Sequence, residues 1–220
     1  MVLPQNSDFY ISFLDVGQGD SFVINIPDYG KLLIDTGANY QSNYLFARGE
    51  VFPVCRIKAV FITHFDSDHR GGLARITRFC QGVVIHDNLS KGDVLQFSDA
   101  SLTVLSPSAK NSTHEENDDS LVMLWQQANF NALLTGDAGL DILEKLDLEE
   151  LPPLTVYKVS HHGSKYNTSY QLLNRLKPRY CVISVGKNPF GHPAPEVLND
   201  LARTDCKTFR TDRDGTVMLY

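Results

Sequence analysis

The segment that is most informative about the fold and the chemistry of this chain is Thr63-His64-Phe65-Asp66-Ser67-Asp68-His69, continued by Arg70-Gly71-Gly72. It follows a β-branched, apolar run that is typical of a buried strand, and it precedes a helical pattern that ends near Cys80. Four side chains of metal-ligating type fall within six residues: His64, Asp66, Asp68 and His69. Imidazole nitrogens together with carboxylate oxygens suit zinc, manganese or iron. The segment therefore predicts a metal site in a tight loop at the end of a strand.

Two later segments place further potential ligands directly after predicted strands. Leu134-Thr135-Gly136-Asp137-Ala138 ends a strand at Asp137, whose carboxylate is a candidate to bridge two ions. Val159-Ser160-His161-His162-Gly163-Ser164 holds two adjacent histidines. Because side chains alternate along a strand, these two are expected to point in opposite directions, so that only one of them ligates a metal. We predict His161 as that ligand and keep His162 as the alternative.

Composition limits the class of protein. The 220 residues are 42% hydrophobic and 21% charged, which is ordinary for a folded globular chain. The net charge of −6 argues against a surface that binds nucleic acid all over, although it does not exclude an anionic substrate. No apolar run approaches the roughly 20 residues of a membrane-spanning helix, and the start lacks the features of a secretory signal. A cytoplasmic location without a membrane partner is therefore expected.

The four cysteines are predicted to be small buried hydrophobic side chains. Cys55, Cys80, Cys181 and Cys206 are scattered along the chain and form no Cys-x-x-Cys pair. At this chain length and cysteine density, we expect neither a disulfide framework nor a thiolate zinc site.

The order of the predicted elements indicates the architecture. Short strands dominate from Phe9 as far as Thr135, and strands then alternate with helices predicted at Ser169 to Leu176 and at Pro195 to Ala202. The chain has no low-complexity linker and no short repeat. Two sheets packed face to face with helices outside fit this order, as one α+β domain that spans residues 1–220.

Polar and glycine-rich segments recur in order along most of the chain. Besides the three above, they are residues 13–20 (FLDVGQGD), 33–37 (LIDTG), 117–122 (NDDSLV), 184–188 (SVGKN) with 191–193 (GHP), and 211–215 (TDRDG). This ordered series resembles the metallo-β-lactamase superfamily. Within it, the series is most similar to the hydrolase-like domain of the DNA-internalisation protein ComEC and its stand-alone relatives. The resemblance implies an αββα four-layer sandwich with a two-metal site at one edge of the sheets.

The chain departs from the general superfamily pattern in its nitrogen ligands. In the pattern His-x-His-x-Asp-His, Asp66 stands here in place of the second histidine, as in the ComEC-like branch. A further ligand histidine usually precedes the bridging aspartate, and the matching position here is Asn117. His114, three residues earlier, is the alternative for that position, although a histidine in a polar loop is more often on the surface.

The resemblance implies two metal positions that share Asp137. The first position takes His64 and Asp66 and is completed by water, whereas the second takes Asp68, His69 and His161. A shell rich in carboxylate and water favours manganese or another hard ion at the first position, with zinc as the other candidate. Occupancy of a single position is the alternative. Two more carboxylates are expected to brace the ligands from behind, by holding the second nitrogen of a ligating histidine: Asp20 and Asp35.

Other polar residues near these segments are candidates to act on a substrate. Five are predicted to contact it: Asn117, Ser120, Ser164, Lys165 and Asn188. Lys187 or Lys165 would neutralise charge that develops on phosphate oxygens, and His192 would protonate the leaving oxygen. Asp66 or Asp68 would accept a proton.

The spacing of these residues alone predicts a metal-dependent hydrolase that uses a metal-bound hydroxide. The ComEC likeness implies that the bond is a phosphoester and that the protein is a phosphodiesterase or nuclease acting on DNA or a nucleotide. The acidic charge balance favours a short single strand of DNA, a nucleotide or a cell-wall phosphodiester over long duplex DNA. One alternative keeps the metal site and changes the bond, to a lactone, thioester or amide. Another is a metal-stabilised module that binds nucleic acid or a partner without turnover, which the missing histidine keeps open. The oligomeric state is not predicted.

Overall fold

A computed structural model describes residues 9–39, 54–108 and 117–220 of the chain. The first sheet has six strands in the order β13-β1-β2-β3-β4-β5. Their bounds are β1 (Tyr10–Phe13), β2 (Phe22–Ile26), β3 (Gly30–Ile34), β4 (Ile57–Phe61), β5 (Val84–His86) and β13 (Val217–Leu219). Strands β13, β1, β2 and β3 pair antiparallel, and β3, β4 and β5 pair parallel.

The second sheet has seven strands in the order β12-β11-β10-β9-β8-β7-β6. Their bounds are β6 (Val94–Phe97), β7 (Ala100–Ser106), β8 (Val122–Gln127), β9 (Phe130–Leu134), β10 (Val156–Lys158), β11 (Tyr180–Ile183) and β12 (Lys207–Arg210). Strands β6 to β9 form an antiparallel meander, and β9 to β12 pair parallel.

The two sheets face each other across the main core. Alternate residues of the strands point into this core, and Phe13, Phe61 and Trp125 are fully buried there. Phe97 and Trp125 stack with ring centroids 5.9 Å apart. Because the intervening residues of the same strands are also apolar, the outer face of each sheet needs a cover of its own.

Helices provide that cover on both outer faces. Helix α2 (Leu73–Phe79) buries Ile76 against the first sheet, beside Val60. Helices α4 (Tyr170–Leu176) and α5 (Pro195–Ala202) cover the second sheet. The remaining helices are single turns: α1 (Ser67–Arg70), α3 (Leu140–Glu144) and α6 (Thr211–Asp214). The αββα sandwich expected from the sequence is confirmed. No helix in the described ranges is both long and apolar enough to cross a membrane.

The prediction of unpaired cysteines is wrong. Cys55 is bonded to Cys80, and Cys181 is bonded to Cys206, with Cα–Cα distances of 5.4 and 5.9 Å. In each pair the partners are 25 residues apart. Each pair joins the ends of a strand–helix unit, β4 with α2 and β11 with α5, whose return path brings the two cysteines together. Scattered spacing in the sequence does not show that return path.

Candidate metal centre

The loops that follow parallel strands of both sheets meet at one edge of the sandwich. In the first sheet, β3 leads into Asp35, and β4 leads into His64 and the rest of the metal-ligand loop. In the second sheet, β9 leads into Asp137 and β10 into His161. Because the carboxyl ends of parallel strands lie on the same side of a sheet, segments far apart in sequence deliver their polar side chains to a common place.

Four imidazoles converge on one carboxylate oxygen at this edge. The distances from Asp137 Oδ2 to the Nε2 atoms are 3.9 Å for His64, 3.3 Å for His69, 3.7 Å for His161 and 3.5 Å for His162. Asp137 itself is buried, and its backbone N–H donates to Ser120 Oγ at 3.1 Å. The predicted bridging carboxylate is therefore the centre of the cluster.

The donor atoms of this cluster fit a bound metal. Atoms that ligate one tetrahedral ion at about 2.1 Å lie about 3.4 Å from one another, close to the spacings around Asp137. The Nε2 atoms of His64, His69 and His162 are buried and make no hydrogen bond within the described part of the chain. Buried polar atoms are rarely left without a partner, so these three nitrogens need an ion or water. Four overlapping groups of three residues bring their ligand atoms within 4.8 Å of one another: His64/His69/Asp137, Asp68/His69/His162, Asp20/Asp35/His69 and Asp20/Asp137/His162.

Hydrogen bonds at the other ring nitrogen set the orientation of these imidazoles. His69 Nδ1 lies 2.8 Å from Asp35 Oδ2, and His162 Nδ1 lies 2.8 Å from the carbonyl oxygen of Ser184. Because these oxygens only accept hydrogen bonds, each Nδ1 carries a proton, and Nε2 is the ring nitrogen that faces the cluster and can bind a metal once it is unprotonated. Asp35 also accepts from the backbone N–H and the hydroxyl of Thr63, at 2.8 and 2.7 Å. Asp35 thus braces the loop from behind, as the resemblance implied.

Both adjacent histidines reach the cluster, so the alternation argument made from the sequence does not apply to them. His161 and His162 form a left-handed turn with φ values of 48° and 54°, rather than a continuation of β10. His162 is buried, and its Nε2 lies 3.4 Å from Asp68 Oδ2. His161 is more exposed, and its Nδ1 lies 3.4 Å from the side-chain amide of Asn117. Asn117 is therefore positioned to orient His161. His114 lies outside the described residues.

A buried lysine completes the cluster, and the sequence reasoning missed it. Lys158 Nζ lies 2.5 Å from Asp20 Oδ2, 2.8 Å from the Gly136 carbonyl oxygen and 3.6 Å from Asp137 Oδ1. Both Lys158 and Asp20 are fully buried. Burial alone would lower the pKa of Lys158, but the charges of Asp20 and Asp137 outweigh burial and raise it above its usual value. The only sequence signal was one lysine in the otherwise apolar segment 156–159.

The charges at this edge favour cations. Five carboxylates and one ammonium group leave four negative charges, which two divalent ions would offset: those of Asp20, Asp35, Asp66, Asp68 and Asp137, with Lys158. Burial raises the pKa of Asp68, but the contact with His162 Nε2 at 3.4 Å and the charge of His69 outweigh it and lower that pKa to about 2. Burial likewise opposes ionisation of Asp137, yet the charges of His162 and His69 hold its pKa well below the usual range. Both carboxyl groups are therefore charged at neutral pH.

Asp66 lies at the open side of the cluster. Its carboxylate is 48% exposed and lies 3.5 Å from His64 Nε2. This close contact with His64 lowers the pKa of Asp66. Asp66 thus combines contact with a candidate ligand and access to solvent, whereas Asp68 is held more deeply by His162.

The predicted substrate residues divide into two groups. Ser120 is buried and accepts from the Asp137 backbone, and Asn188 uses its whole amide to hold the loop that carries His192. The side chains of these two residues therefore hold the backbone of the site in place, whereas the sequence predicted that they contact the substrate. Ser164 lines an open groove with His161, and Lys165 is exposed beside that groove.

His192 and Lys187 come from the loop that follows β11. The His192 ring lies 5.5 Å from the His161 ring, and its Nδ1 is buried without a hydrogen-bond partner in the described ranges. Burial, with the nearby charges of His161 and His162, lowers the pKa of His192. Lys187 is exposed on the same loop.

Glycine is required at position 19, where the loop that follows β1 crosses the loop that carries His64, Asp68 and His69. Gly19 has φ of 127°, and a Cβ there would lie 2.3 Å from the carbonyl oxygen of Asp68. The next residue, Asp20, donates its backbone N–H to that same oxygen at 3.2 Å. The close approach places Asp20 beneath the cluster.

The sandwich has the same fold as the solved protein Tm1679, described as a metal-dependent hydrolase of the beta-lactamase superfamily, with a TM-score of 0.60 at 13% identity, covering 97% of this chain and 99% of that one. Residues 14–124 match the family model described as the metallo-beta-lactamase superfamily, and the chain belongs to that superfamily.

Curated relatives confirm the likeness to the ComEC-like branch. ComE operon protein 3 of Bacillus subtilis (strain 168) is 31% identical over 262 residues, which cover 96% of this chain and 33% of that protein. Competence protein ComA of Neisseria gonorrhoeae is 28% identical over 233 residues, which cover 99% of this chain and 33% of that protein. The chain thus spans about a third of the length of these relatives.

A solved structure supports the fold. The metallo-beta-lactamase fold protein YhfI from Bacillus subtilis superposes with a TM-score of 0.66 at 9% identity, covering 96% of this chain and 100% of that one. At such low identity the similarity concerns the fold alone.

Proposed function

We propose that this protein is a metal-dependent phosphodiesterase that acts on DNA or a nucleotide. The observation that carries the proposal is the convergence of four imidazole Nε2 atoms within 3.9 Å of Asp137 Oδ2. Relatives named for competence support a substrate related to DNA. When bound, divalent ions of this kind activate water and neutralise charge on phosphate oxygens.

We assign the metal ligands as two groups that share Asp137. The first comprises His64 and Asp66, with His161 held by Asn117 beside it. The second comprises Asp68, His69 and His162, because His162 contacts Asp68 and is the more buried of the adjacent histidines. This assignment replaces His161 by His162 at the second position. Zinc and manganese both suit the mixed nitrogen and oxygen donors.

The residues around the cluster have distinct tasks in this proposal. Asp66 accepts the proton of the attacking water, because its carboxylate is ionised and open to solvent. The lowered pKa keeps His192 neutral at pH 7, so it must gain a proton before it passes one to the leaving oxygen. Lys165 and Lys187 attract the substrate phosphates from the exposed rim.

The two disulfides bear on where the protein acts. Disulfides persist in oxidising compartments and are rare in the cytoplasm. We therefore favour an oxidising compartment over the cytoplasmic location expected from the sequence. The core shared by both sheets supports a single domain across residues 1–220.

The test measures metal content and hydrolysis on the same preparations. Metal per chain is counted by mass spectrometry, and cleavage of bis(p-nitrophenyl) phosphate and of labelled single-stranded DNA is followed with added Mn²⁺ or Zn²⁺. Wild type should cleave both. Asp68→Ala and Asp137→Ala should lose more than about 100-fold, since each removes a ligand. Glu149→Ala, which alters an exposed carboxylate paired with Arg175, is the matched control.

Other outcomes select the other functions. Bound metal with cleavage of lactones or thioesters, and none of phosphoesters, would replace this proposal by a carbonyl hydrolase. Bound metal without turnover of any of these substrates would indicate a binding module. Failure to bind metal under every loading condition would overturn the ligand assignment.

A further inference from the structure

Two aromatic side chains beside the metal centre are exposed to an unusual degree. Tyr166 is 71% exposed and Phe190 is 70% exposed. The other strongly exposed aromatic among the described residues, Tyr220, is at the chain end and lines a separate cavity with Phe9. Rings that are exposed beside a candidate active site are available to stack on a planar group of a substrate.

Each ring is connected to the metal-centre histidine His161 by shared surroundings. Tyr166 lines the open groove of about 530 Å³ that His161 and the buried Ser164 also line. Phe190 reaches His161 through one intervening ring, because its centroid lies 5.8 Å from that of His192, and the His192 centroid lies 5.5 Å from that of His161. The two aromatic residues thus come from two separate loops and lie near the place where a bond would be cleaved.

The loop that carries Phe190 is held in shape. Asn188 donates to the carbonyl oxygens of Gly186 and His192, both at 2.8 Å, and accepts from the backbone N–H groups of Phe190 and His192. The exposed ring is therefore presented on a fixed support. A rigid planar surface loses little conformational freedom when another planar group stacks on it.

Each exposed ring is accompanied by a lysine. Lys165 Nζ lies 4.7 Å from the centroid of the Tyr166 ring, and Lys187 is three residues before Phe190. Neighbouring rings and ammonium groups are the features with which proteins bind single-stranded nucleic acid, where bases stack on the rings and phosphates contact the cations. A paired duplex keeps its bases stacked on one another, so it cannot present them to the rings.

From these observations we propose that Tyr166 and Phe190 stack the bases of a single-stranded oligonucleotide on either side of the phosphodiester at the metal centre. This inference rests on the proposed function and narrows its substrate from DNA or a nucleotide to a strand with unpaired bases. Lys165 and Lys187 then contact the flanking phosphates. Stacking of bases on the two rings does not depend on charge, so it would help a chain with a net charge of −6 to bind an anionic polymer.

The experiment measures binding separately from cleavage. Fluorescence anisotropy of the metal-loaded protein compares labelled oligothymidylate with an abasic strand of the same length and charge, both with hydrolysis-resistant linkages. Loss of one stacked base costs about 5- to 150-fold in affinity. We expect Tyr166→Leu and Phe190→Leu each to weaken oligothymidylate binding by at least about fivefold and to leave abasic-strand binding unchanged. Tyr166→Phe should retain binding because it keeps the ring.

One control variant and one alternative strand complete the binding experiment. Tyr220→Leu changes an exposed ring far from the cluster and should bind oligothymidylate as wild type does. Oligouridylate shows whether the favoured strand is RNA or DNA. Equal affinity of wild type for the abasic strand and oligothymidylate would overturn the stacking, as would full retention of binding in both leucine variants.

The two proposals fail in different ways. A wild type that cleaves bis(p-nitrophenyl) phosphate but shows no preference for bases retains the phosphodiesterase and loses the stacking. A wild type that binds oligothymidylate through Tyr166 and Phe190 but cleaves no phosphodiester with any metal retains the stacking and loses the phosphodiesterase.

Discussion

Replacing Asp35 by asparagine should weaken metal binding without touching any proposed metal ligand. In the native site, Oδ2 of Asp35 accepts from both His69 Nδ1 and the Thr63 hydroxyl, while Oδ1 accepts from the Thr63 N–H. In Asp35→Asn, one of these oxygens becomes an NH₂ group. If the NH₂ replaces Oδ2, it donates to His69 Nδ1, and the imidazole proton must move to Nε2. That nitrogen then no longer has a lone pair for a metal.

The opposite orientation of the asparagine amide does not restore the native hydrogen bonds either. An NH₂ group in place of Oδ1 would face the backbone N–H of Thr63, so that two buried donors oppose each other. The backbone itself tolerates the change, because Asp35 has φ of 55° and asparagine adopts that conformation readily. The substitution therefore perturbs the hydrogen bonds selectively.

The expected loss follows from the role of such partners. Removing a carboxylate that holds a ligating histidine costs about 10- to 100-fold in metal affinity, or about 1.4 to 2.7 kcal/mol. Competition with a chromogenic chelator for Zn²⁺ measures this directly, and circular dichroism verifies the fold. Glu149→Gln, an exposed amide replacement, should bind metal as wild type does. An Asp35→Asn protein that is folded and has wild-type metal affinity would refute the proposed tautomer of His69.

Three further predictions concern stability and pH. Replacing Cys181 and Cys206 by serine should lower the free energy of unfolding by about 3.5 kcal/mol, from closure of a 25-residue loop, as measured by urea denaturation; a loss below about 1 kcal/mol would argue against that disulfide in the folded protein. Lys158→Met leaves Asp20 as an uncompensated buried charge and should cost the metal-free protein about 3–5 kcal/mol in the same assay, so near wild-type stability would contradict the buried ion pair. Burial lowers the pKa of His69, but the charges of Asp137 and Asp35 outweigh it and raise that pKa well above 6.5. Since a metal ion must displace the proton of this imidazole, chelator competition should show that metal affinity rises between pH 6 and 8. A metal affinity that does not change over this range would exclude the displacement.

The fold could be predicted largely because its patterns are local. The apolar run before His64 predicted β4, and the spacing from Leu73 to Phe79 predicted α2. Pro195 marked the start of α5 because proline suits the first turn of a helix. The sequence over residues 140–148 favours a single helix, but α3 ends at Glu144 and a separate turn covers Leu148–Glu150.

The parts of the site that could not be predicted depend on distant partners. Lys158 is distinguishable from a surface lysine only through Asp20, which lies 138 residues earlier and is brought near by the opposite sheet. The conformation of the turn at His161 and His162 is set by tertiary contacts, so strand alternation predicted its side chains incorrectly. Asn188 shows the same limit, since its polar type indicated a substrate contact while its amide is committed to its own loop.

The convergence of strand ends at the metal centre has a consequence for how the two halves of the molecule move. Asp35, His64 and His69 follow strands of the first sheet, whereas Asp137 and His162 follow strands of the second. An ion held by both groups would tie the two layers together, in addition to their apolar contacts and the Lys158–Asp20 ion pair. Local unfolding of either sheet would then require release of the ion. Backbone amide hydrogen exchange in β4 and in β9 should therefore slow by similar factors when the metal is added. At a free metal concentration of 100 times Kd, that protection is worth about 2.7 kcal/mol.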